Sequence, residues 1–205
     1  MLPFEIHESV QAYFQEADTR AVVDALVTMI NDPDLPDMDR SKLTDLSEGV
    51  MLACQVRSDF VEFMADIWKN TFGAALEKID LNEFFPENCT ISEVWKEWHF
   101  WSYVTRGDDL ERSHFDLTVD IDSKRPYEVT LRIWRYNDDD ELQTFSSRLK
   151  VPDCWQRITD EGEQRLESTA KVTMESFIDN PDEALKPLKL AASAIVPLIA
   201  KLLAD

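Results

Sequence analysis

Between Phe115 and Trp134 the chain alternates apolar and polar residues with a period of two. Phe115, Leu117, Val119 and Ile121 fall on one side of the first run, and Asp116, Thr118, Asp120 and Asp122 on the other. The second run sets Tyr127, Val129, Leu131 and Ile133 against Glu128, Thr130, Arg132 and Trp134. Successive side chains of a strand point to opposite faces, so both runs predict half-buried strands. The linker Ser123-Lys124-Arg125-Pro126 is short and ends in proline, which predicts an antiparallel hairpin.

Upstream the period is helical. Val10, Phe14, Val22, Leu26, Met29 and Ile30 predict one helix from about Glu5 to Asn31, or two joined near Asp18-Thr19. Pro33 and Pro36 end it in an acidic loop that carries Asp32, Asp34, Asp37 and Asp39. From Ser41 the period returns through Leu43, Leu46, Val50, Cys54, Val61, Met64, Ile67 and Trp68, and ends with Leu76 and Ile79. That run exceeds the usual helix length, so breaks are expected near Arg57-Ser58-Asp59 and near Gly73. Cys54 falls on the apolar stripe and is expected to be a core thiol. A loop from Asp80 to Ser92 leads to Trp95, Trp98, Phe100, Trp101 and Tyr103, an aromatic cluster with too few cations for base stacking and expected to pack in the core.

After the hairpin, Asp138, Asp139, Asp140 and Glu141 form an acidic turn, and Leu142 to Val151 predicts a weaker third strand. Leu166, Ala170, Thr173, Phe177 and Ile178 predict a helix that starts at Thr159 or Asp160. Asn180, Pro181 and Glu183 predict the start of a last helix. Its stretch between Lys189 and Lys201 is uncharged, too short to span a bilayer and interrupted by Pro197. Burial in the core is expected there, or contact with a second copy of the chain. The fold class that follows is α+β: an N-terminal helical half, a three-stranded antiparallel meander, and two C-terminal helices packed on its apolar face. Residues 1–92 form the acidic helical region and 93–205 the sheet with its helices, expected to pack as one unit.

Charge changes the functional picture. The 205 residues carry a formal net charge of −20, so a nucleic-acid backbone or an anionic membrane is an unfavourable partner. A basic protein, including one that itself binds nucleic acid, is the favoured class. The acidic residues of the loops, Asp32, Asp34, Asp37 and Asp39 with Asp138, Asp139, Asp140 and Glu141, are the candidate partner-binding positions. The leading expectation is a non-enzymatic cytoplasmic binding protein: an inhibitor, an immunity-type protein or a nucleic-acid mimic, of phage or mobile-element type.

A second reading sits on the polar face of the hairpin. If Ile121 pairs with Tyr127, Asp120 faces Glu128, Thr118 faces Thr130 and Asp116 faces Arg132. Two opposed carboxylates repel unless something lies between them, and magnesium or manganese suits such oxygen ligands. The order Asp120, then Glu128-Val129-Thr130, is similar to the PD-(D/E)xK nuclease pattern. That resemblance implies a metal held by Asp120 and Glu128, but Thr130 stands where the family has lysine and Arg132 lies one step further along the face. The resulting alternative is a divalent-metal-dependent hydrolase that uses Asp120, Glu128, Thr130 and Arg132. A third reading is a homo-oligomer joined through the C-terminal helix.

Other chemistries find little support. Cys54, Cys89 and Cys154 lack zinc-ligand spacing, and His7, His99 and His114 fit no triad. His99 is expected in the core and His114 at the surface. Four glycines supply no phosphate-cradling loop, so no nucleotide cofactor is expected.

Overall fold

A computed structural model describes residues 4–30, 43–79, 98–104, 114–137 and 141–204. Helices α1 (Glu8–Gln15) and α2 (Ala17–Ile30) fill the first predicted helical stretch. They part at Glu16, whose backbone is extended and whose carboxylate accepts the Thr19 hydroxyl at 2.6 Å.

Helix α3 (Leu43–Trp68) runs unbroken through Arg57-Ser58-Asp59, against expectation. That polar triplet ties two helices together instead of starting a new one. Buried Asp59 accepts the Ser9 hydroxyl at 2.6 Å and the Gln55 amide at 2.7 Å, and its Oδ2 lies 2.9 Å from His7 Nδ1. At the second expected break the helix does change, into a π-helical turn (Lys69–Gly73) and one further helical turn (Ala74–Leu76). Cys54 is exposed and not a core thiol. The buried stripe of α3 runs through Ala53, Val56, Phe60, Phe63, Met64 and Ile67, one position out of phase with Cys54.

The sheet has six antiparallel strands, not three. β1 (His99–Val104), β2 (His114–Ile121), β3 (Glu128–Tyr136), β4 (Trp155–Asp160), β5 (Glu163–Ser168) and β6 (Val172–Thr173) are ordered β1-β2-β3-β5-β4, with β6 also paired to β3. The expected third strand at 142–151 is absent; only a bridge between Tyr136 and Leu142 remains. The carbonyls of Ser146 and Leu149 are instead held by the Arg157 guanidinium at 2.6 and 2.8 Å. The helix expected from Thr159 or Asp160 is also replaced. Glu161 and Gly162 take positive φ values of 49° and 93°, the paired left-handed conformation that closes a two-residue hairpin between β4 and β5. Only α4 (Met174–Asp179) is helical there, capped by the Thr173 hydroxyl.

The last helix, α5 (Pro181–Ala204), begins at the expected asparagine cap and continues through Pro187 and Pro197. Each proline removes one backbone donor, while Leu185, Leu188, Ala192, Ile195, Val196 and Ile199 bury an extended apolar face. Helices α3 and α5 cover the apolar side of the sheet: α3 touches β1 and β2, and α5 touches β3 and the π turn. The Trp68 indole N–H donates to the Leu117 carbonyl at 2.7 Å, and that of Trp155 to the Ala191 carbonyl at 2.8 Å. Residues from both halves of the chain, from Phe4 to Leu203, join one apolar cluster. Among the described residues, no helix is long and apolar enough to cross a membrane.

Candidate functional site

The strand parity that sends Leu117, Val119, Leu131 and Ile133 toward the helices sends a second set of side chains the other way. On this opposite face β2 supplies Asp116, Thr118 and Asp120. Its partner β1 sets Tyr103, Trp101 and His99 beside them, and β3 sets Trp134, Arg132 and Thr130 on the other side. The next strand, β5, adds Glu167 directly opposite Arg132.

The register differs from the expected one by two residues. Asp120 faces Thr130, Thr118 faces Arg132 and Asp116 faces Trp134. The hairpin closes with the Asp122 N–H on the Glu128 carbonyl at 3.0 Å, and Tyr127, at a φ of 56°, stands outside the ladder. A shift of two preserves which residues share a face and changes which ones meet. Glu128 therefore pairs across to Thr173 and lies 3.8 Å from Lys171, not opposite Asp120.

What lies beside Asp120 is Arg132. Its Nη1 is 2.7 Å from Asp120 Oδ1, and its Nε is 3.1 Å from Glu167 Oε2. Arg165 reaches the same Glu167 oxygen at 3.3 Å and lies 5.3 Å from the centre of the Trp134 ring. Asp120 is only 7 % exposed. Burial pushes its carboxyl up to about 6; Glu167 and Asp122 add to the rise, and Arg132 and Arg165 oppose it. No group of three or more metal-ligating side chains occurs among the described residues. The charge between the two buried acids is supplied by a guanidinium, and the donor set expected for magnesium or manganese, Asp120 with Glu128, is not brought together.

These residues line a cavity of about 670 Å³. Asp116, Thr118 and Asp120 form its floor, His99 and Trp101 one wall, and Arg132, Trp134 and Tyr136 the other, with Leu142 and Glu163 at the margin. A line of rings runs across the same sheet face from Trp101 to Tyr136, both of which line the cavity. Trp101 stacks near Tyr103 (centroids 6.4 Å apart, 27° between planes), Tyr103 lies 5.5 Å from His114, and His114 stacks on Tyr136 at 5.2 Å and 14°. His114 is thus held between two tyrosines and lies 3.8 Å from Asp116, in place of the expected exposed position. His99 lines the cavity and is not a core residue.

The aromatic cluster divides by parity. Trp98 packs with Tyr13, Phe14, Phe60 and Tyr127, and Phe100 lies 6.4 Å from Trp68 on the helix side. Trp101 lines the cavity and Tyr103 shares its sheet face, against the expectation that the whole cluster packs in the core; Trp95 lies outside the described residues. Trp134 and Tyr136 carry the same parity as Arg132, a signal already present in the alternation. Glu163, Arg165 and Glu167 gave no such signal, because helical spacing masked their hairpin.

Of the expected partner-binding acids, Asp32, Asp34, Asp37, Asp39, Asp138, Asp139 and Asp140 lie outside the described residues. Glu141 is exposed. Its N–H donates to Asn137 Oδ1 at 2.8 Å and its carbonyl accepts from the Asn137 N–H at 3.0 Å, beside the Tyr136–Leu142 bridge. A smaller cavity of about 410 Å³ elsewhere is lined by Glu5, His7, Glu8, Asp59, Glu62 and Asp66. No protein-family model, curated protein or solved structure matches the chain.

Proposed function

We propose that this chain is a non-enzymatic, acidic binding protein that receives a basic macromolecular partner on the open face of its sheet. The observation that carries the reading is the cavity on that face, walled by aromatic rings and floored by Asp116 and Asp120, on a chain of net charge −20. Aromatic faces and carboxylates both attract cations, and a strongly negative field steers a basic partner toward them. The partner is a basic protein, including one that binds nucleic acid, met in the cytoplasm. Inhibitor, immunity-type and nucleic-acid-mimic roles are forms of this one activity.

The test is retention of partners from host lysate on the immobilised chain, at low and at high salt, with Trp101→Ala and Glu163→Gln in parallel. The expected result is a basic protein released by salt and held less well by both variants. Retention of no basic protein, or equal retention by all three chains, would sink the reading.

Asp120 favours a second reading. A carboxyl that titrates near 6 within a cavity has the form of a general acid. That reading predicts turnover of a small substrate by the wild type, lost in Asp120→Asn. The 2.7 Å contact with Arg132 counts against it, since the guanidinium occupies a carboxylate oxygen that a substrate would need and opposes the rise.

A further inference from the structure

We propose that the cavity on the open sheet face is a receptor for one guanidinium group, the side chain of an arginine on the basic partner. The inference rests on the partner reading above and names the chemical group that the site takes. The face already holds guanidinium groups in the two ways this requires. Arg132 lies between the carboxylates of Asp120 and Glu167, at 2.7 and 3.1 Å, and Arg165 lies over Trp134 while its Nε meets Glu167. A planar, delocalised cation that stacks on rings and forks to carboxylates matches this chemistry better than the compact, strongly hydrated ammonium of lysine.

The space for a third guanidinium lies between these internal pairs and the line of rings. Asp116 on the floor, Glu163 at the margin and the Trp101 ring on the wall would surround it. The volume falls in the range usual for small-ligand sites.

The test is calorimetric titration of the full chain with N-acetyl-arginine amide, its lysine counterpart, and the neutral citrulline analogue. Citrulline keeps the shape of arginine and removes its charge. The expected result is arginine amide binding with a Kd on the order of millimolar, and citrulline amide at least ~10-fold weaker. Trp101→Ala should weaken the arginine ligand by roughly 10-fold, and Glu163→Gln by about 3-fold. Glu163 is exposed, so its variant keeps the fold even if the tryptophan variant does not. Equal binding of arginine and citrulline amides, equal binding of the lysine amide, no binding by the wild type, or no effect of Glu163→Gln would each overturn the proposal. A basic protein retained by the chain but not displaced by arginine amide would overturn this site and leave the partner reading standing. Arginine amide bound with no basic protein retained would do the reverse.

Discussion

On the helix side of the sheet, Leu117, Val119, Leu131 and Ile133 are sealed beneath α3 and α5. On the other side, Thr118, Asp120, Thr130 and Glu167 are also buried, under long side chains of their own face such as Arg132, Arg165 and Trp134. The same strands and the same alternation produce both. The first face stabilises the fold, at roughly 1.5–3 kcal/mol for each large apolar side chain taken out of water. The second must compensate buried charge with ion pairs, and such pairs return little net stability. Four buried polar side chains on one sheet face therefore add little to the stability that the apolar face supplies. The difference separates scaffold from site, and it can be attacked from either side.

The largest effect belongs to the scaffold. Ile195 is fully buried against the core, so Ile195→Glu places a charge where nothing can pair with it. The expected outcome is loss of the folded state, visible as collapse of the circular dichroism signal and early elution in size exclusion. A folded monomer would contradict the packing of α5. The same burial bears on the oligomer reading, in which this residue would have lined an interface between copies; here it is spent inside the chain.

Next comes the site. Arg132→Met leaves Asp120 and Glu167 without the guanidinium they share, and the expected loss is about 3–5 kcal/mol in urea unfolding. Adding Asp120→Asn to that variant should restore part of the loss, since it removes one of the two stranded charges. Full additivity of the two changes would mean that Asp120 and Arg132 do not act as a pair.

Protonation separates the faces without mutation. In the unfolded chain Asp120 titrates near its ordinary 3.8, and in the folded chain near about 6. The folded state therefore holds this proton more tightly. Its contribution to stability is complete below about pH 4 and is lost as pH rises through about 6. The two values imply about 3 kcal/mol at pH 7. Thermal unfolding of the wild type should show stability falling between pH 5 and pH 7, with a clearly shallower fall in Asp120→Asn. Parallel curves for the two chains would exclude Asp120 as the source.

How much of this was legible in sequence depends on what the chain had to specify. Strands β2 and β3 are legible to within a residue or two, because Phe115, Leu117, Val119 and Ile121 on one and Val129, Leu131 and Ile133 on the other give an apolar face with a period of two that no helix imitates at that length. The cap and burial of α5 were read for similar reasons. That Asp120 and Arg132 share a face followed from parity alone. Their contact did not, because the register depends on Tyr127 adopting a positive φ, which no feature of a tyrosine announces. Glu167 was out of reach. On β4 and β5 both faces are mixed, with Arg157 inward and Ile158 outward, so no alternation marked them, while Leu166, Ala170, Thr173 and Phe177 imitated a helical stripe.

That hidden hairpin supports the smallest prediction and the cleanest one. Gly162 sits at a φ of 93°, where an L side chain is strained, yet a Cβ built there meets nothing within 4 Å. Any effect of Gly162→Ala must then come from the backbone and not from packing. The expected loss is about 1 kcal/mol in urea unfolding, and Gly162→Asn should lose less, because asparagine tolerates left-handed conformations better than alanine does. The turn joins β4 to the strand that carries Glu163, Arg165 and Glu167, so loosening it disturbs the cavity side before the helix side. Amide exchange should accordingly quicken along β4 and β5 in the alanine variant, while the amides of β2 under α3 keep their protection. Uniform loss of protection across the sheet would mean that its two faces unfold together, and that scaffold and site are one cooperative unit.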